Sequence, residues 1–375
     1  MAWAEPNYSA EEVNAAPIKV NGLFDKYEGS GWSEGDATTF NRSVMIINNW
    51  RACHGYPLNI FQNNLRRSAK KIDATALIAQ RTKRLVSILN KLRLQPKMKL
   101  TQMQDIGGCR AVVKSVLAVR RLDEFYTNES EMKHELATRD DYIQSPRKSG
   151  YRGIHLVYRY FSDKKMGEKY NGLKIEMQLR SEYQHAWATT VETVGTFIGE
   201  ALKSSSGPEE WQRFFALMGS VIALRERTPL VPDTPTNQTQ LIEELHEHAR
   251  DLNVQHLLRG YAETLRKVEE SPEQAHYYLL RLDPGPRESQ LTVTGFKQEE
   301  FQQAQQAYSE AEQQVKEKPG TDAVLVSVDS LSVLQRAYPN YFADTRVFVQ
   351  LLEQALSGRQ KRIFTGQLKL DAASS

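Results

Sequence analysis

Leu173-Lys174-Ile175-Glu176-Met177-Gln178-Leu179-Arg180 alternates apolar with polar side chains over its whole length, the period of a β-strand with one face in a core and the other in water. The wet face carries Glu176, Gln178 and Arg180 in succession. A carboxylate, an amide and a guanidinium on one strand face point the same way, so together they can meet a metal-bound phosphate chain. An ordinary solvated strand face has the same pattern, since exposed charge is common.

Three further segments bear on that choice. Residues 142–160 read YIQSPRKSGYRGIHLVYRY, a loop rich in Ser, Pro, Lys and Gly that runs into an alternating strand, with Tyr151, Arg152 and His155 at the junction. Residues 103–113 read MQDIGGCRAVV, where Asp105 precedes a glycine turn and Arg110 opens an apolar strand. Residues 81–91 read RTKRLVSILNK and place Arg81, Lys83, Arg84, Ser87 and Lys91 at a strand-to-helix transition. From Arg66 to Lys99 the basic side chains are opposed by Asp73 alone, a footprint for polyphosphate or nucleic acid. A solvated helix face accounts for part of that run as well.

In this order the basic segment, D-I-x-G-x-R from Asp105, G-Y-R-x-x-H from Gly150 and E-x-Q-x-R from Glu176 resemble the synthetase domain of the RelA/SpoT family. The resemblance spans about residues 40–225. It implies an α/β (α+β) fold, a nucleotidyltransferase-like mixed sheet flanked by helices. It also implies transfer of pyrophosphate from ATP to a ribose hydroxyl with Mg2+. Asp105 and Glu176 would share the metal, and Glu176 would also orient or deprotonate the acceptor hydroxyl. Arg81 and Arg110 would lie against the adenine. Lys83, Arg84, Ser87 and Lys91 would hold the phosphates, with His155, Gln178 and Arg180 supporting the transferred group. Tyr151 would stack on the acceptor base; the alternative is a turn tyrosine packed on the sheet. Thr193 follows Glu192 where the family commonly has histidine, which puts that position in doubt.

The 375 residues carry a formal net charge of +3 and are 40% hydrophobic, an ordinary globular composition that leads us to expect two or three domains. Without an apolar run of membrane-spanning length or a signal-peptide pattern, the expected location is cytoplasmic, away from membranes. Cys53 and Cys109 are the two cysteines, so neither a disulfide framework nor a C-x-x-C zinc pair is expected.

Residues 1–36 read as a loosely ordered arm with one short helix at 10–15, and 37–227 as the synthetase domain. Phe40, Val44, Ile47 and Trp50 recur at helical spacing, and a second helix follows Pro57 with Ile60, Leu65 and Ala69 inward. Trp50 and His54 read as packing residues. Strands are expected near 77–83, 109–114, 153–161 and 173–180, with another around 132–142, and helices at 87–94, 116–126, 181–202 and 208–225. Residues 228–239 read as a proline- and threonine-rich linker, 240–270 as a connector of two helices, at 240–252 and 254–270, and 271–375 as a C-terminal module.

That module reads as β-β-α-β-α: a hairpin of 276–282 and 290–295 around Asp283-Pro284-Gly285-Pro286, a helix at 298–316, a strand at 323–328 and a closing helix at 346–356. The loop before the last helix carries Tyr338-Pro339-Asn340-Tyr341. In this setting the Y-x-x-Y pair resembles the neutralising element of the CapRel-type fused toxin–antitoxin synthetases of antiphage defence. The resemblance implies a module like a zinc ribbon without its cysteines, whose Tyr338 and Tyr341 displace the adenine from Arg81 and Arg110. It implies as acceptor the 3′ end of tRNA, and as trigger a phage structural protein such as a capsid protein. A small synthetase making (p)ppGpp or (p)ppApp shares every catalytic residue named and stands as the alternative. A catalytically silent binding module is disfavoured by the complete set of Asp105, Tyr151 and Glu176.

Overall fold

The computed structural model describes residues 3–26, 33–198, 209–263, 265–270, 275–283, 289–315, 321–328, 331–342 and 344–357. Among the described residues the strands are β1 (Leu77–Thr82), β2 (Gly107–Val113), β3 (Glu135–Asp141), β4 (Ile154–Arg159), β5 (Lys174–Ser181), β6 (Leu265–Glu270), β7 (Tyr277–Asp283), β8 (Ser289–Phe296) and β9 (Asp322–Ser327). They form one mixed sheet in the order β3-β4-β5-β2-β1-β9-β7-β8-β6. The alternating stretch around Glu176 is β5, and Ile175, Met177 and Leu179 are buried. They pack with Leu58, Phe61 and Leu65 of the helix Gly55–Ile72 and with Val119 and Leu122 of the helix Val116–Glu124. Those helices close one face; the other keeps Glu176, Gln178 and Arg180. β2 and β5 run parallel with Arg110 beside Gln178, while β1 and β4 flank them antiparallel. His54, on the closed side, is buried with Nδ1 2.8 Å from the Trp50 carbonyl, and burial pulls its pKa down to about 4, so it packs as a neutral ring.

Four expectations need correction. The N-terminal segment is not a loose arm: the helix Ala10–Lys26 buries Val13, Ala16, Val20 and Leu23. It packs with Ile47 of the helix Glu34–Cys53 and with Ile88 and Leu92 of the helix Leu85–Leu94. Pro17 inside the helix hid that stripe. Residues 228–239 do not form a free linker either, because Arg152 donates to the Pro229 carbonyl at 2.9 Å and to the Thr228 hydroxyl, and Val231 is buried. The expected helix 254–270 stops at Glu263, and 265–270 becomes β6, parallel to β8 at the sheet edge. The loop ahead of Tyr338 contains a further helix, Leu331–Ala337. The expected turn residues Pro284, Gly285 and Pro286 lie outside the described residues.

The division at 271 is not a division in space. β9 pairs antiparallel with β1 (Gln80 with Ser327, Arg81 with Val326), so the C-terminal strands continue the sheet that carries Glu176. The helix Phe301–Val315 covers one face of that extension. The closing helix Arg346–Leu356 instead buries Phe348, Leu351 and Leu352 among Trp187, Phe214 and Val221 of the helices Glu182–Ile198 and Glu209–Glu226. The helix Gln238–Asp251 joins the same cluster through Leu241 and Leu245.

Gly150 positions the loop that delivers Tyr151. Its φ of +95° lies in the left-handed region, and a Cβ there would stand 2.7 Å from the Phe215 carbonyl. Gly219, on the same helix as Phe215, has its own Cβ direction only 2.9 Å from the Gly150 Cα. Two glycines therefore let the loop lie directly on the helix. Gly150→Ala is expected to lower stability by about 1–3 kcal/mol through strain and overlap, measured as the urea midpoint of the full chain. An unchanged midpoint would remove this account of the loop.

Candidate active site

The backbone amide of Lys83 donates to the Ile106 carbonyl at 2.8 Å, tying the end of β1 to the loop that carries Asp105. Asp105 consequently receives Lys83 Nζ at 2.8 Å and Lys91 Nζ at 3.2 Å. Burial, the largest influence on the Asp105 carboxyl, acts to raise its pKa, but the two lysines outweigh it and the net shift is downward. Burial likewise lowers Lys83, with Asp105 opposing. Ser87 and Lys91 stand one turn apart on the helix Leu85–Leu94 and share a face. Arg84 is that helix's N-cap residue.

The polar face of β5 and the start of β4 close a ring of hydrogen bonds. Arg180 Nη2 donates to Tyr151 Oη at 2.9 Å and to Gln178 Oε1 at 3.0 Å. Gln178 Nε2 donates to Glu176 Oε2 at 2.8 Å. Glu176 Oε1 meets His155 Nδ1 at 2.8 Å, and His155 Nε2 returns to Tyr151 Oη at 2.5 Å. Burial works against charge on His155, but Tyr151 and Glu176 prevail and raise its pKa to about 9. Both ring nitrogens then donate, one to the carboxylate and one to the phenol oxygen. Burial would raise Tyr151, yet Arg180 and His155 bring it below its ordinary value. Glu176 is lowered too, His155 overcoming desolvation. The phenol oxygen thus accepts from two cations, which fixes the Tyr151 ring. Arg180 lies 5.2 Å from the Tyr151 centroid, and Trp187 and Tyr142 meet the ring edge to face.

Tyr338 sits on this surface. The Arg110 guanidinium lies 4.9 Å from its ring centroid, Arg110 Nη2 donates to the Ala337 carbonyl at 2.6 Å, and Tyr338 Oη donates to the Gln80 carbonyl at 3.1 Å. Across the same contact, His185 Nε2 lies 3.2 Å from the Arg336 carbonyl. What is left is a cavity of about 70 Å³ bordered by Arg81, Lys83, Asp105, Arg110, Glu176, Gln178 and Tyr338. Nε of Arg110 and both Nε and Nη1 of Arg180 are buried with no hydrogen-bond partner among the described residues, so donors remain for a ligand.

The structure therefore gathers most of the residues singled out in the sequence, but not all into one cavity. Tyr151, His155 and Arg180 stand in the ring behind it. Tyr341 belongs to the buried cluster around Tyr338, with Val326 and Leu334, rather than to the cavity wall. The Thr193 hydroxyl donates to the Thr189 carbonyl at 3.0 Å within its own helix and takes no part in the ring. Sequence reasoning missed His185 and the carbonyls of Arg336 and Ala337, since backbone acceptors leave no trace in residue identity. Asp105 and Glu176, both on the cavity wall and electrostatically coupled, supply hard oxygen donors suited to Mg2+. No group of three or more His, Cys, Asp or Glu that could hold a metal occurs among the described residues, so water and substrate oxygens would complete the coordination of an ion held by these two carboxylates. No helix among them is long and apolar enough to cross a membrane.

Residues 80–194 match the family model for the region found in RelA / SpoT proteins. GTP pyrophosphokinase YjbM of Bacillus subtilis is 32% identical over 114 residues, 30% of this chain and 52% of that protein. The uncharacterized protein Rv1366 of Mycobacterium tuberculosis is 24% identical over 139 residues, 36% of this chain and 45% of that one. The chain spans about half the length of these curated relatives. Among solved structures, small alarmone synthetase 1 from Bacillus subtilis aligns over 57% of this chain and 96% of that chain, with a TM-score of 0.37 at 20% identity. The family match contains Asp105, Tyr151 and Glu176 and ends before β6–β9 and Tyr338.

The raised His155 pKa gives a pH test. Its contribution to stability is complete below the ordinary value of 6.5 and is lost as pH rises through about 9. Between pH 6 and 9.5 the wild-type chain is expected to lose on the order of 3 kcal/mol more than His155→Gln, read from urea unfolding at each pH. Parallel profiles for the two proteins would contradict the ring.

Proposed function

We propose that this chain, which carries a RelA/SpoT region, is an ATP-dependent pyrophosphokinase held shut in this conformation by its own C-terminal module. The observation that carries the reading is Tyr338 on the Arg110 guanidinium. A cavity of about 70 Å³ is far below the roughly 300–1,000 Å³ of ordinary ligand sites, so ATP enters only once Tyr338 leaves. Arg110 and Arg81 then receive the adenine in place of the phenol ring, a substitution of one aromatic face for another. Lys83 and Lys91 turn from Asp105 to the phosphates. Mg2+ held by Asp105 and Glu176 would neutralise charge on the phosphate oxygens. The ring through His155, Gln178 and Arg180 keeps Glu176 and Tyr151 oriented toward the acceptor hydroxyl, so that positioning supplies much of the rate.

The acceptor in this reading is the 3′ end of tRNA, whose modification blocks translation, and the physiological setting is antiphage defence. The basic run from Arg66 to Lys99 supports a nucleic-acid acceptor. A phage structural protein such as a capsid protein that binds the module's open form better than its closed form would shift the equilibrium toward activity. The second reading, an alarmone synthetase acting on guanosine or adenosine nucleotides, is favoured by the likeness to a GTP pyrophosphokinase.

The test uses the full chain with Tyr338→Ala and Tyr341→Ala and ATP labelled in its β- and γ-phosphates, offered with GTP, GDP, ATP and bulk tRNA. Label in tRNA is expected, together with arrest of growth on expression. Adding Asp105→Ala should cut transfer by about 10²–10³-fold and restore growth. Label in nucleotides instead would establish the second reading. A folded double-tyrosine variant that labels nothing would end both.

A further inference from the structure

Tyr338 is not the module's single hold on the synthetase half. Alternate residues of β9 face opposite sides of the sheet: Val324 and Val326 pack with Ala79 and Tyr338, whereas Ala323 packs with Tyr308 of the helix Phe301–Val315. On that second side Arg51, from the helix Glu34–Cys53, is 4% exposed. Its Nη1 donates to Glu312 Oε2 at 2.7 Å and its Nη2 to Glu312 Oε1 at 3.0 Å and Tyr308 Oη at 2.9 Å. Nε donates to the Lys83 carbonyl at 2.9 Å, and Nη1 also to Asn48 Oδ1 at 2.6 Å. Tyr308, one turn before Glu312, donates its hydroxyl to Glu312 Oε1 at 2.7 Å. The same oxygen accepts the backbone amide of Leu85 at 3.0 Å.

We propose that Glu312 is a second latch, which grips the Lys83–Leu85 segment from the face of the sheet opposite Tyr338 and keeps the module docked. The inference rests on the reading that the module restrains the synthetase half. Leu85 opens the helix that carries Ser87 and Lys91, and a carboxylate on its first amide is favourable there. Lys83, whose carbonyl Arg51 holds, is the partner of Asp105. Glu312 thus caps in trans the helix assigned to phosphate binding. Its departure leaves Arg51 buried without a carboxylate, which penalises any partial separation. Backbone pairing between β1 and β9 extends over Gln80–Ser327 and Arg81–Val326 alone, so side-chain holds decide whether the seam stays closed. Tyr338 fills the site; Glu312 keeps in place the body that carries Tyr338.

The test is amide hydrogen exchange of the full chain by mass spectrometry, with Glu312→Ala and the shape-preserving Glu312→Gln. The expected result is exchange about tenfold faster or more in the helix Phe301–Val315, in β9 and at the start of the helix Leu85–Leu94, with β3, β4 and β5 unchanged. Labelled pyrophosphate transfer should rise in the same variants with both tyrosines intact. Unchanged exchange in those segments overturns the latch. Acceleration throughout the sheet, β3–β5 included, in both variants also overturns it, because Glu312 would then support the whole fold. Local acceleration without transfer, in these variants and in the double-tyrosine variant alike, upholds the latch and removes the enzyme reading.

Discussion

The structure depends on β1 being paired on both edges. A strand with an open edge leaves a row of backbone donors and acceptors available to any segment that can align with it. β2 satisfies one edge of β1 along its length, and β9 takes part of the other. Once β9 is seated, the rest of the module follows from short connections. β9 ends at Ser327, the helix Leu331–Ala337 turns back over the sheet, and Tyr338 emerges at its end above Arg110. The same strand presents Ala79 and Arg81 to the site, while its last residue leads into Lys83 and the helix behind it. A change in the β1 edge is therefore felt at Arg81, at Lys83 and at the start of the helix Leu85–Leu94 together.

Charge in the closed state is balanced internally. Asp105 is matched by Lys83 and Lys91, Glu176 by protonated His155, and half-buried Arg110 by an aromatic face and a carbonyl. Opening the site without substrate would expose Lys83, Lys91 and Arg110 to water at little cost, but under the proposed function filling it requires the Asp105 and Arg110 contacts to loosen. Uncompensated donors on Arg110 and Arg180 tilt that exchange toward an anionic ligand, because a buried unpaired N–H gains most from a new acceptor. The ring through Tyr151 is different in kind: it needs no ligand to be complete, so it is a fixed wall rather than an exchanging one.

Local periodicity made β1, β2, β4 and β5 legible. Leu173–Arg180 alternates so strictly that both its face and its polar residues could be read directly, and Gly150 marked the turn before Tyr151, whereas Gly107 and Gly108, read as a turn, open β2 instead. Nonlocal pairing left no such mark. Nothing in Ala323-Val324-Leu325-Val326 tells that it will pair with β1, so a boundary drawn on composition at 271 cut through a continuous sheet. Leu265-Arg266-Lys267-Val268-Glu269-Glu270 suits a helix or an edge strand equally, and its place beside β8 decided it. Arg51 and Glu312 each look like one surface charge among many on amphipathic helices; their pairing exists only after two separate helices meet over Lys83. Tyr338 was singled out through resemblance and lies against Arg110, while Tyr341 packs beside it in the same buried cluster.

The placement of the module's ends determines what release can look like. Residues preceding β6 lie in helices whose Leu241, Leu245 and Leu258 belong to the cluster around Trp187 and Phe214, and the chain after Phe342 returns to that cluster through Phe348 and Leu352. Under the proposed function the described strands β6–β9 and the helices packed on them move as one body, anchored at both ends in that cluster. Such a body can swing away from Arg110 without diffusing away, and its effective concentration at the site stays high. On that proposal closure would be the default after any excursion, and a releasing partner would have to hold the open form rather than merely create it. Two latches on opposite faces of one sheet suit that arrangement, since a swing about either face alone leaves the other engaged.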